Sequence, residues 1–196
     1  ISFFPVPQVK LTNVNYFDEP QKLELEITKL ELVSSWHSIF SLEPKIIKLN
    51  LIEPKLKLHQ KQVVRKKFIL IKNNQIISPN FQNIINKFEK IRVEQGTISF
   101  LIGDNFHEIS KFNSSLKIGK NYEILSTFYY ENFKSSYNVN IFGEFENGFN
   151  FQIDQKFLNK NSLIYNGEIN FGEYVIVDGK INSDKLNIEE VLTLIS

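Results

Sequence analysis

A short alternating motif recurs along the chain and constrains the fold more than any other feature of the sequence. Apolar residues flank Pro54 at alternate positions in the first copy, Gly96 in the second, and Gly179 in a weaker third. In each copy the alternation slips by one residue at the Pro or Gly, which predicts strand, kink, strand in a continuous sheet. Such repetition is typical of a modular all-β protein. The copies are Leu49, Leu51, Pro54, Leu56 and Leu58; Ile91, Val93, Gly96, Ile98 and Phe100; and Tyr174, Ile176, Gly179 and Ile181, with Ser183 last.

The composition fits such a sheet. The 196 residues are enough for one large domain, and 18 Phe and 7 Tyr favour strands over helices. A net charge of +1 gives the whole chain no electrostatic attraction to nucleic acid, so no nucleic-acid partner is expected. The absence of Cys excludes a disulfide framework and a thiolate metal site. We expect one β-rich domain over residues 1–196, with sub-units 1–78 and 79–196 as an alternative division.

Period-two alternation dominates the chain and predicts a mostly β fold with one or two short helices. We expect an extended, strongly twisted antiparallel sheet, shaped either as a groove or as a sandwich. The clearest helix is predicted over residues 79–90, where Ser78 caps the start and Phe81, Ile84, Ile85 and Phe88 form one apolar stripe. Short helical turns are predicted near 35–40 and 187–195.

The two strands around Asn147-Gly148 predict a hairpin whose register depends on loop length. A three-residue loop over 146–148 pairs Phe145 with Phe149 and Ile141 with Ile153, and places Gly148 in the left-handed conformation. If the sheet is an open groove rather than a sandwich, its large apolar inner face implies a greasy ligand, and the face formed here is then the candidate lipid lining. Packing of the same residues under a helix or second sheet is an equal alternative. The face comprises Phe128, Tyr130, Tyr137, Val139, Ile141, Phe145, Phe149, Phe151 and Ile153.

No residue pattern in the sequence points to catalysis or metal binding. His37, His59 and His107 are far apart and lack the spacing of metal ligands. The chain contains neither a glycine-rich phosphate loop nor a Gly-x-Ser-x-Gly motif. We therefore expect a protein that is not an enzyme and that uses no cofactor and no metal.

Four segments, spread along most of the chain, carry motifs in the order and spacing of a known family. Phe4–Val14 is similar to an entry strand of pattern FPxPxVxLxNV. Leu30–Phe40 followed by Ile46–Leu58, which includes Pro54, is similar to the next segment. Ile91–Phe100 matches a strand pair with a central Gly, and Val177–Ile188 matches a closing segment with a Gly and an Asp. Together these segments resemble the AsmA family, including its TamB-like relatives.

This resemblance implies a location and a function. AsmA-like proteins are Gram-negative envelope proteins with a periplasmic β-rich body tethered to the inner membrane by one N-terminal helix. Residues 1–4 look like a cut end, so we expect that anchor upstream of this chain. The resemblance implies passive binding or conduction of phospholipid acyl chains along an apolar β-groove between inner and outer membranes, in outer-membrane biogenesis. The alternative is a structural or assembly module, a closed sandwich that binds outer-membrane assembly proteins through an edge strand.

Overall fold

Ten strands form one open, twisted sheet in the part of the chain that this computed structural model describes. The predicted mostly β fold class is confirmed, with the sheet open rather than folded into a sandwich over these residues. The strands follow one another across the sheet in chain order, from β1 to β10. The described residues are 6–18, 23–36, 46–62, 87–102, 105–144, 148–157, 162–171 and 175–183.

The strands are nine to seventeen residues long. Because each strand pairs with its sequence neighbours, the ladder is continuous from the first strand to the last. The strands are β1 (Gln8–Asp18), β2 (Leu23–Ser34), β3 (Ile46–Gln62), β4 (Lys90–Ile102), β5 (Asn105–Ile118), β6 (Tyr122–Tyr130), β7 (Ser135–Glu144), β8 (Gly148–Phe157), β9 (Ser162–Phe171) and β10 (Val175–Ser183).

One pair of strands, β3 and β4, is parallel, which corrects the expectation of a wholly antiparallel sheet. All other neighbouring pairs are antiparallel. A parallel pair requires a crossover connection of about a dozen residues or more, and the chain between Gln62 and Lys90 is long enough to supply one. This ladder also joins strands from the two alternative sub-units, 1–78 and 79–196.

The parallel pair accounts for the two strong copies of the sequence motif. Leu49 and Ile91, which open the two copies, are direct partners and lie 42 positions apart in the chain. The same offset relates Leu51 to Val93, Leu56 to Ile98, and Leu58 to Phe100. Corresponding residues of the two copies of the motif are therefore direct partners across β3 and β4.

The kink lies one residue earlier than the sequence predicts. Glu53 and Gln95, which precede Pro54 and Gly96, have φ of 51° and 55°. The register places both on one line with Thr28 of β2 and Asn13 of β1, whose φ is 54°. We call Asn13, Thr28, Glu53 and Gln95 the bulge line.

The one-residue shift in side-chain alternation that runs along the bulge line ends in β5, where Lys111 has a positive φ of 50°. Between Ser110 and Asn113 this strand has one residue more than β6 opposite it, so β6 alternates without interruption.

The kink predicted at Gly179, in the third copy of the motif, is wrong. β10 pairs with β9 from Val175 to Ser183 without a register shift, and Ile176 lies on the face opposite Gly179. Tyr174 lies outside the described residues.

The helix predictions fall mainly outside the described residues. The described end of the 79–90 helix does not form, because Lys87–Glu89 is a turn and Lys90 already begins β4. Of the turn near 35–40, Ser35 and Trp36 are described, and Trp36 is helical. The turn at 187–195 is outside. Among the described residues, no helix has the length and apolar character to cross a bilayer.

The bulge line predicts opposite responses to glycine at two exposed positions of β3. Glu53 has a left-handed backbone that costs an L-residue about 1–2 kcal/mol, so Glu53→Gly should leave the free energy of unfolding unchanged or raise it by up to about 1 kcal/mol. Lys55→Gly, in regular strand, should lower it by about 1 kcal/mol. Urea unfolding measures both. Equal losses would contradict the strain assigned to Glu53.

Candidate functional site

The strand register collects apolar side chains on one side of the whole sheet. Directly paired residues point to the same side, so a row of partners can be followed from β1 to β10. We call this side the apolar face. Its central row is Val9, Leu32, Leu49, Ile91, Leu116, Ile124, Ile141, Phe151, Gly167 and Gly179, and the next row is Leu11, Leu30, Leu51, Val93, Ser114, Ser126, Val139, Ile153, Tyr165 and Ile181.

Eight of the nine candidate lining residues lie on the apolar face, and Phe145 lies outside the described residues. They occupy three adjacent strands, β6, β7 and β8. The direct pairs are Phe128 with Tyr137, Val139 with Ile153 and Ile141 with Phe151, while Tyr130 pairs with Ser135 and Phe149 with Gly143.

The hairpin register differs from the predicted one by two positions. Ile141 faces Phe151 rather than Ile153, and Phe149 faces Gly143 rather than Phe145. Residues 145–147 join the two strands, one position earlier than the predicted loop over 146–148. A shift of two positions leaves every side chain on its predicted side, because side chains alternate with period two. The left-handed conformation of Gly148 is confirmed, with φ of 102°.

The apolar face is not covered by a second layer of described strands. Within the described ranges, extensive contacts link only strands that are neighbours in the sheet. Most side chains on the face are half-buried by their neighbours, and those on the edge strands are exposed, as at Val177 (64%) and Ile181 (60%). The sheet is therefore one layer thick over these residues.

The opposite side of the sheet carries a lattice of charges. Lys57 of β3 binds both Glu24 and Glu26 of β2, at 3.3 and 3.2 Å. Lys117 of β5 binds Glu123 of β6 at 2.6 Å. These exposed pairs contribute little stability individually, but they keep this side hydrated. We call it the polar face.

Aromatic rings stack along one end of the apolar face. Phe100 stacks on His107, with ring centroids 5.4 Å apart, and His107 stacks on Tyr130 and hydrogen-bonds its hydroxyl. Phe128 and Tyr137 stack at 4.9 Å. His107 is thus half-buried among aromatic rings. Among the described residues, no three His, Cys, Asp or Glu side chains come together as metal ligands.

A buried polar cluster interrupts the apolar face, and the sequence analysis did not identify it. Gln155 is 1% exposed and Ser135 is 0% exposed, yet both lie on this face. Tyr165 donates to Gln155 Oε1 at 3.0 Å, Gln155 Nε2 donates to Ser135 Oγ at 3.4 Å, and Ser135 donates to the Tyr137 hydroxyl at 3.1 Å. These mutual bonds satisfy the buried polar atoms, so the cluster positions three strands rather than offering a reactive group.

Glycines let the aromatic rings of β8 lie close to the backbone of β9 and β10. Phe151 pairs with Gly167, where a Cβ would lie 2.7 Å from Phe151 Cζ and 2.8 Å from Gly179 Cα, and would also meet the Asp178 carbonyl oxygen. Phe149 pairs with Gly143 in the same way, on β7. Near β10 the apolar face therefore consists of glycine backbone, and the ring of Phe151 lies close to that backbone because the glycines have no side chains.

Gly167→Ala should destabilise the protein by about 1–3 kcal/mol, because the added methyl group meets backbone atoms that cannot move aside cheaply. Gly119→Ala is the matched control, since its Cβ would meet only the Asn121 carbonyl oxygen, at an ordinary 3.7 Å. The control should change the free energy of unfolding by less than about 0.5 kcal/mol. Thermal and urea unfolding of both variants would test this, and equal stabilities would contradict the close packing at Gly167.

Burial raises the pKa of Tyr137, Tyr165 and Tyr130 above their ordinary value. The unfolded chain then loses these protons at a lower pH than the folded protein, so stability is complete below about pH 10 and falls as pH rises through the folded pKa values. Tyr137→Phe should reduce this alkaline loss. Urea unfolding from pH 8 to 11 measures it, and Tyr16→Phe, at an exposed position, is the control. An unchanged slope in Tyr137→Phe would contradict the burial effect.

Comparison of the chain with known proteins identifies no relative. No family model, curated protein or solved structure matches the chain. The resemblance to the AsmA family therefore stays a hypothesis carried by sequence motifs, and the function must be argued from the apolar face.

Proposed function

We propose that this chain is a non-enzymatic lipid-handling module whose apolar face receives the acyl chains of phospholipids. The observation that carries the proposal is the apolar face, whose central row crosses all ten strands without a polar side chain, in a sheet one layer thick within the described residues. Each CH₂ that moves from water to this face gains about 0.8 kcal/mol. Headgroups stay in water at the sheet margins, so the process needs no catalytic group and no cofactor.

The size of the face supports an extended apolar ligand. Ten strands at about 4.8 Å spacing span about 45 Å, and strands of nine or more residues make the face larger than about 1,000 Å². Soluble proteins rarely leave an apolar patch of more than a few hundred Å² without a partner. The two central rows hold no charged side chain, so an acyl chain lying along them desolvates no ion.

The AsmA-like motifs support a location for this activity. In the proposal the module is periplasmic, is tethered to the inner membrane through an N-terminal helix as AsmA-like proteins are, and takes part in outer-membrane biogenesis. Phospholipid passing between the inner and outer membranes is the proposed ligand. The movement is passive, because an apolar face binds acyl chains without coupling to an energy source.

A second candidate function is a structural or assembly module that binds protein partners through an edge strand. The observation that favours it is the exposure of apolar side chains on both edges, including Phe17 on β1 and Val177 on β10. An extended segment of a partner, such as an outer-membrane assembly protein, would add to an edge strand by backbone hydrogen bonds. The two candidates differ in where they place the ligand, which is the face in one and the edge in the other.

Two aspartate substitutions on β7 distinguish the lipid-handling function from the assembly function. Ile141 lies at the centre of the apolar face, and Phe142, 47% exposed, lies next to it on the polar face. In an open face the carboxylate of Ile141→Asp stays hydrated, so this variant should remain folded and lose most of its bound lipid. Phe142→Asp should keep the lipid. Native mass spectrometry after incubation with phosphatidylethanolamine–phosphatidylglycerol vesicles measures occupancy, and thermal unfolding measures stability.

The outcomes contradict the proposal in distinct ways. A lipid-free mass for the unmodified chain would remove the lipid function and leave the assembly function. If Ile141→Asp unfolds, with a loss of several kcal/mol, the residue is packed core and the open face is wrong at this position. A folded Ile141→Asp that retains lipid would show that the site lies elsewhere on the protein.

A further inference from the structure

Among the strands that the structure describes, β10 lies at an open edge of the sheet. Ile176, Val177 and Ile181 are each about 60% exposed, and the strand pairs with β9 without a bulge. Open edges are normally guarded by bulges, prolines or several lysines, because unpaired N–H and C=O groups accept a further strand. Lys180 is the one lysine in β10.

The opposite edge is guarded. The bulge line reaches the surface in β1, where Asn13 has a positive φ and the pairing with β2 is interrupted. The register of β1 is the same on both sides of Asn13, but a left-handed residue in mid-strand turns its N–H and C=O groups out of line and so breaks the regular spacing of hydrogen-bonding groups along the edge. Of the two edges, β10 is therefore the one suited to continue the sheet.

The charges on β10 indicate what continues it. Asp178 and Lys180 are both exposed on the polar face, and neither has an ion-pair partner within the described part of the chain. Asp178 lies directly opposite Glu168 of β9, so two carboxylates face each other across the last ladder. Like charges in this position are unfavourable, and a cation on the open side of Asp178 would relieve them.

We propose that a second copy of this chain pairs with β10 in antiparallel fashion, about a two-fold axis through Gly179. This register places Asp178 of each copy opposite Lys180 of the other, and Val177 opposite Ile181. The axis is perpendicular to the sheet, so the apolar faces of the two copies lie on the same side. The interface is isologous and closed, and it joins two ten-stranded sheets into one.

Charge selects this register over its neighbours. An axis at Asp178 or at Lys180 would place that residue opposite itself, as a like-charged pair. An axis at Val177 would place Asp178 opposite Ile176 and leave the carboxylate pair with Glu168 uncompensated. Gly179 is the centre that pairs both charges and places Val177 opposite Ile181.

Charge reversal on the whole 196-residue chain tests the pairing. Sedimentation velocity over a concentration series should show a monomer–dimer equilibrium. Asp178→Lys and Lys180→Asp should each weaken dimerisation by about tenfold or more, because each creates two like-charged pairs. The double variant D178K/K180D restores opposite charges and should recover most of the affinity. Lys120→Asp, in an exposed turn, is the control for net charge and should have no effect.

Three results would overturn the inference. The unmodified chain sedimenting as a monomer at all concentrations removes the dimer. Single variants that dimerise as well as the unmodified chain remove the Asp178–Lys180 contact, and a double variant as weak as the singles removes the register. Circular dichroism confirms that each variant is folded. The test needs no lipid, so a dimer that binds no lipid would remove the proposed function and leave this inference standing.

Discussion

The fold depends on keeping one set of side chains on one side across strands that are not uniformly regular. Side chains alternate with period two, so a slip of one residue in a single strand would send half of its apolar residues to the polar face. The bulge line solves this problem by placing the slip at corresponding positions in β1 to β4, with Lys111 marking it in β5. The extra residue of β5 then returns the sheet to unbroken alternation in β6 to β10. The two halves differ in backbone shape and share one apolar face.

This arrangement sets how the sheet is stabilised. A one-layer sheet buries each apolar side chain only against its neighbours on the same face, which explains why most are half-buried and few are fully buried. Cross-strand pairs and the backbone ladder therefore carry more of the stability than they do in a two-layered domain. The buried Ser135–Gln155 cluster fits this view, because hydrogen bonds lock strands together where no opposing layer supplies packing.

The sequence predicted the fold class and the sidedness of the face better than it predicted pairing. Alternation alone puts Ile141 and Phe151 on one side whatever their partners are, so the candidate lining survives a register error of two positions. It does not distinguish a parallel from an antiparallel neighbour, because both have period two. The signal that would have identified the parallel pair was the constant offset of 42 positions between Leu49 and Ile91 and their successors.

The residues that sequence reasoning missed are those whose role depends on neighbours in other strands. Gln155 continues the alternation of Phe149, Phe151 and Ile153, and only its burial marks it as part of the apolar face. Gly179 looked like a kink because its sequence neighbours resemble those of Gly96. The structure assigns the two glycines different surroundings. A Cβ added at Gly96 would meet Pro54 and Val93 beside the bulge line, whereas Gly179 pairs with Gly167 in a strand of regular register.

The position of Gly179 links the proposed lipid face to the proposed pairing of two copies. The central row holds large side chains as far as Phe151 and then continues into two glycines, so apolar cover is thinnest at β10, the last of the described strands. In a single copy, an acyl chain crossing this margin would meet backbone and water. With a second copy paired about Gly179, the row continues through that copy's glycines to its own Phe151. The thin margin then becomes a shallow strip between two aromatic rings, at the centre of a continuous apolar surface rather than at its end.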